Sequence, residues 1–127
     1  MERALINAIA AAALIGAAAF AYADDQGDPE QSCDGSTYEI VECQKAKLAV
    51  LDKRLNVAYQ QALKDAQSPK QRDQLRAAQR LWVQYRDANC EYYELGEGTI
   101  ARIEGGVCML DLTRTRALEL ESATEKH

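Results

Sequence analysis

The chain has 127 residues, 47% of them hydrophobic and 28% charged, with a formal charge of −5, four Cys and a single His. That length suits one small domain, and this mixture of apolar and charged residues argues against a wholly disordered chain. The lone His is the last residue, His127, which disfavours His-based metal sites and Ser-His-Asp catalysis, and the acidic balance argues against nucleic acid as a partner.

Residues 1–23 have the layout of a secretory signal peptide. Arg3 gives a weak positive start, Ala4 to Phe20 is an apolar run broken only by Asn7, and Ala21-Tyr22-Ala23 is a small-x-small cleavage site. The competing reading is a membrane anchor, but the run is at the short limit for a span and rich in Ala. The expectation is export, to the periplasm or the medium, with no integral span after cleavage. An oxidising compartment makes the four Cys disulfide partners. Residues 24–35 follow as an acidic flexible tail, with Asp24, Asp25, Asp28, Glu30 and Asp34 and no base. Its acids lack the spacing of a calcium loop, so no metal is expected there.

The remaining chain predicts an all-α domain over 36–122, an antiparallel helical hairpin plus a third helix, with 123–127 as a C-terminal tail. Ser36-Thr37-Tyr38-Glu39 is a capping box at the first helix start. Val41, Leu48, Leu55 and Ala62, with Leu51 and Ala58 offset, form one apolar stripe to about Ala66. Ser68-Pro69 stops that helix and opens the second, in which Leu75, Ala78, Trp82, Tyr85, Asn89 and Tyr92 share helical spacing. It should end by Gly96 or Gly98. The third helix carries Leu110, Ala117 and Leu118 inward, and Gly105-Gly106 makes its start ambiguous.

A short link makes the first two helices antiparallel, so Cys33, Cys43, Cys90 and Cys108 gather at the open end of the hairpin. Local bridges Cys33–Cys43 and Cys90–Cys108 are the first choice; Cys43–Cys90 with Cys33–Cys108 is the rival. The spacings suit neither zinc nor CxxC redox chemistry. Charge is polarised as well. Asp24 to Gln44 holds seven acids and no base, Lys45 to Arg86 is net +7, and Asp87 to Glu125 is net −6. The hairpin tip, with Lys64, Lys70, Arg72 and Arg76, is therefore basic and the open end acidic.

Cys33 and Cys43 about the capping box, Leu51-Asp52, Leu55-Asn56 and Tyr59 form an ordered series with the run from Ala78 to Cys90, AQRLWVQYRDANC. Gly98-Thr99-Ile100, Cys108, Leu112-Thr113, Arg116 and Leu120 complete it. In these residues the chain resembles the LprI-like family of small secreted bacterial proteins, named for a lysozyme inhibitor. The resemblance runs from Cys33 to about Leu120. It implies an exported helical binding protein, an inhibitor of lysozyme-type muramidases with lysozyme as protein partner. No enzyme activity and no cofactor are expected, because the sequence offers no nucleophile–base pair, metal set or phosphate loop. The resemblance also implies a third helix unbroken from about Ile100. The Gly105-Gly106 pair departs from the family, which favours larger residues there.

Among the matched residues, Trp82 suits a core position with its N–H satisfied. Asn56, Gln79, Arg86, Asp87 and Arg116 are expected to be structural, with Asn56 cross-linking helices. Arg86 and Asp87 are adjacent and face different ways on a helix, so each should bridge to another helix, for instance Arg116 to Asp87. Glu91, Glu94, Glu97 and Glu104 form a candidate acidic binding loop rather than a glycosidic carboxylate pair, since nothing there suggests burial. The alternative function is an envelope-associated interaction protein whose basic tip binds anionic wall or membrane without acting on lysozyme.

Overall fold

The computed structural model describes residues 32–126. The expected signal peptide and most of the expected acidic tail lie outside the described residues. Three helices follow in order: α1 (Thr37–Asp65), α2 (Pro69–Glu94) and α3 (Ile100–Thr124). There is no strand among the described residues. The domain is all-α, and no described helix is long and apolar enough to cross a membrane.

Local chemistry sets the helix starts. Ser36 Oγ accepts from the Glu39 amide at 3.3 Å, and the Glu39 carboxylate accepts from the Ser36 amide at 2.8 Å. Two of the amides that a helix start leaves free are thereby satisfied. These bonds hold the Glu39 carboxyl below its ordinary value, the backbone bond from Ser36 contributing most. At α2, Ser68 Oγ accepts from the Gln71 amide at 3.1 Å, with Pro69 in the first turn. Arg72 donates to the Leu63 carbonyl at 3.0 Å, which ties the α1–α2 turn. The α2–α3 turn contains Gly98 at φ 77°, a left-handed conformation that favours Gly.

The pairing of side chains fixes direction. Gln44 meets Ile103 and Arg54 meets Glu121, so α1 and α3 run parallel. Gln79 meets Arg116 and Cys90 meets Cys108, so α2 is antiparallel to both. α3 packs along both other helices, most extensively on α1, while α1 and α2 leave a groove between them. Small buried residues on α3 (Ala101, Gly105, Thr113 and Ala117) permit this double contact. Leu51, Leu55, Ala58 and Leu120 complete the apolar core, with Trp82 and Leu75 packed at its edge. Each fully buried leucine contributes roughly 1.5–3 kcal/mol.

The apolar stripe of α1 lies where its spacing put it. That of α2 does not. Leu75, Trp82 and Asn89 are partly buried, but Ala78, Tyr85 and Tyr92 are exposed. The inward face instead carries Gln79, Trp82, Arg86 and Asn89, so polar side chains fill the α2 contact. On α3, Leu110 and Ala117 are buried but Leu118 is exposed. The helix runs without a break through Gly105-Gly106.

Arg54 holds Glu121 through two bonds, Nε to Oε1 at 2.7 Å and Nη2 to Oε2 at 2.8 Å. This hydrogen bonding keeps the Glu121 carboxyl below its ordinary value of 4.5. The lowered pKa means the pair stabilises the fold above that pH and is lost as pH falls through the depressed value. Glu121→Gln is expected to cost no more than about 1 kcal/mol at neutral pH, because the pair is solvated. Its cost should shrink in acid. Urea midpoints of both proteins at neutral and acid pH check this; an equal difference at both would contradict it.

Candidate functional site

Two disulfides join Cys33 to Cys43 and Cys90 to Cys108, with Cα separations of 5.7 and 5.4 Å. These are the local pairs preferred from spacing. The first ties the segment before α1 onto that helix. The second staples α2 to α3 near the end where they are joined. Asn89 donates to Cys108 Sγ at 3.4 Å. The four Cys thus sit together at the open end of the α1–α2 hairpin, as the helix lengths required.

The matched polar residues build a bridge across the three helices. Arg86 donates from Nε to Asp87 Oδ1 at 2.9 Å, and from Nη1 to Asp52 Oδ1 and Thr113 Oγ1, both at 3.3 Å. Its guanidinium also lies 5.2 Å from the centre of the Trp82 ring. Gln79 accepts from Arg116 Nε at 3.0 Å, which joins α2 to α3. Two expected contacts are corrected. Arg116 pairs with Glu119 at 2.8 Å rather than with Asp87, which accepts instead from its neighbour Arg86. Adjacent helix residues diverge at Cβ, but a long guanidinium reaches back over a short aspartate. Asn56 is exposed on α1 and makes no bond to another helix among the described residues.

The candidate acidic loop is also corrected. Glu91 and Glu94 belong to α2, Glu97 to the turn, and Glu104 to α3, so the connection is only residues 95–99. Gly105 and Gly106 were the apparent break, but they lie inside α3 at points of close approach. A Cβ at Gly105 would overlap Glu94, and one at Gly106 would overlap Gln44. All four glutamates remain exposed and share the end of the molecule where α2 turns into α3.

That end also presents apolar side chains that sequence reasoning missed. Tyr92 is 75% exposed, Leu95 77% and Ile100 55%. A signal was available in Tyr92-Tyr93, since two neighbouring helix residues cannot both face one partner. The opposite tip is less free than its composition suggested. Lys64 and Lys70 are exposed, but Arg72 is bonded to Leu63 and Arg76 pairs with Asp73 at 2.9 Å.

Between α1 and α2 near the open end lies a groove of about 510 Å³. Lys45 stands on its edge, and the hydrogen bond from its ammonium to Glu42, 2.8 Å long, raises its pKa. Among the described residues no group of His, Cys, Asp and Glu is placed to hold a metal ion.

Helix number, parallel and antiparallel order, and the two staples define a small disulfide-linked three-helix protein. The chain belongs to the LprI family: residues 28–120 match the family described as lysozyme inhibitor LprI. No curated protein and no solved structure matches it.

Proposed function

We propose that this protein is exported after cleavage at Ala23 and inhibits lysozyme-type muramidases by binding them, with no catalysis of its own. The observation that carries the reading is the exposure of Tyr92, Leu95 and Ile100 at the end of the molecule that also carries Glu91, Glu94, Glu97 and Glu104. Exposed apolar residues with an aromatic anchor are the usual core of a protein interface, and a charged rim steers the partner. Animal-type lysozymes are strongly basic, so an acidic rim speeds their capture. The family match supports the same partner. The two disulfides suit an oxidising compartment.

Clearing of bacterial walls by animal-type lysozyme, with purified residues 24–127 in excess, tests the proposal. Clearing is expected to slow. Leu95→Asp combined with Glu97→Lys should weaken inhibition by about tenfold or more, as loss of an interface anchor does, with an unchanged helical melt. Unaltered clearing together with no complex at low salt would remove this function.

A further inference from the structure

The α1–α2 groove has a floor and a rim of different chemistry. Val41, Leu48 and Met109 supply apolar walls, and Gln44 and Gly106 lie at the floor. Gln44 is only 6% exposed. Its Nε2 donates to the Ile103 carbonyl at 3.1 Å, while its Oε1, turned toward Gly106, is buried with no hydrogen-bond partner. A buried acceptor without a donor costs about 1–3 kcal/mol. The glycine is what makes room for that oxygen, because a Cβ on it would overlap the amide.

The rim is acidic beyond what the groove's own cations use. Arg86 is already held by Asp52 and Asp87, and Lys45 by Glu42. Glu91 and Glu94, on the α2 wall, make no ion pair among the described residues. A matching occupant therefore needs a positive charge for the rim, an N–H donor for the floor, and an apolar stem for the walls. An ammonium concentrates its donors at one strongly hydrated point, whereas a guanidinium spreads five across a plane and sheds water more readily.

We propose that this groove seats an arginine side chain of a basic partner protein. Its stem lies along Val41, Leu48 and Met109, its charge pairs with Glu91 and Glu94, and one N–H bonds Gln44 Oε1 as that amide turns from Gly106 into the groove. This deepens the inhibitor reading and rests on it for the partner, but the pocket itself can be tested without lysozyme.

The first probe is Nα-acetyl-arginine amide, titrated across the millimolar range into the isotope-labelled protein and followed by NMR. The Gln44 side-chain amide and the Gly106 backbone amide should shift and saturate. Gln44→Met and Glu91→Gln/Glu94→Gln should each weaken this by about tenfold, the loss of a charge-assisted or buried hydrogen bond. Gln44→Met removes an unsatisfied oxygen at similar volume but also the bond to the Ile103 carbonyl, so the two effects should roughly offset and the variant should still fold. The neutral analogue Nα-acetyl-norleucine amide should give no saturating shift. No shift with the arginine probe, equal shifts with the neutral one, or equal affinity for the lysine analogue would each overturn the proposal. Lysozyme then separates the two readings. Inhibition at full strength by the groove variants would overturn the groove and leave the inhibitor function intact. Arginine binding without lysozyme inhibition would support the groove and remove lysozyme as the partner.

Discussion

Reduction of both disulfides is expected to lower the melting temperature sharply and to leave the domain marginal. The bridges span sequence separations of 10 and 18 residues. In the chain-entropy account, loops of that size each contribute about 3 kcal/mol by restricting the unfolded chain. A domain of this size is stable by only about 5–15 kcal/mol, so losing both removes a large part of the total. The two should not be equal. Cys33–Cys43 pins an exposed segment to the start of α1, whereas Cys90 is 1% exposed and its bridge joins α2 to α3. Cys90→Ala/Cys108→Ala should therefore melt lower than Cys33→Ala/Cys43→Ala, by circular dichroism. The unreduced mature protein should weigh four hydrogens less than its reduced form. Full reduction without a fall in melting temperature would show that packing alone holds the three helices.

The disulfides also bear on the proposed binding end. The α2–α3 connection is five residues between two stapled helices rather than a long pinned loop. Reduction should therefore weaken inhibition in step with unfolding, because no separate loop exists to be freed first. Inhibition lost while the helical signal and melting curve stay unchanged would contradict this geometry.

The elements most legible in the sequence were those with local chemical causes. The Ser36 and Ser68 caps are satisfied within a few residues, and the gathering of the four Cys at one end followed from helix lengths about the Ser68-Pro69 turn, though their pairing did not. What escaped reading depended on tertiary packing. On α2 the spacing of Tyr85 and Tyr92 fits one face, while that of Gln79, Arg86 and Asn89 fits another. Hydropathy favours burying the tyrosines, but the polar side chains find partners on α1 and α3 and turn inward. The two glycines of α3 were ambiguous for a similar reason. Their breaker tendency is local, whereas the need for space beside Gln44 and Glu94 appears only when three helices meet. The exposure of Tyr92, Leu95 and Ile100 came into view only once the inward face was known.

Arg86→Ala is expected to destabilise the domain by about 2–4 kcal/mol, a large effect for a substitution outside the apolar core. The side chain is only 13% exposed, and it engages both partner helices through Asp52 and Thr113. Asp52 and Asp87 can recover water, since both are roughly half exposed. Thr113 cannot, because it is fully buried. The guanidinium also covers Trp82, so truncation opens space beside the core's edge. Arg86→Lys should restore less than half of the loss, because one ammonium cannot replace a planar fork reaching two carboxylates and a hydroxyl. Trp82 is the only tryptophan, so its fluorescence reports on the same place. Its emission should move to the red in folded Arg86→Ala as water reaches the ring. Urea unfolding followed by that emission and by circular dichroism measures both effects. A loss below about 0.5 kcal/mol would reduce the bridge to an ordinary surface ion pair and make packing by α3 sufficient to set the helix register.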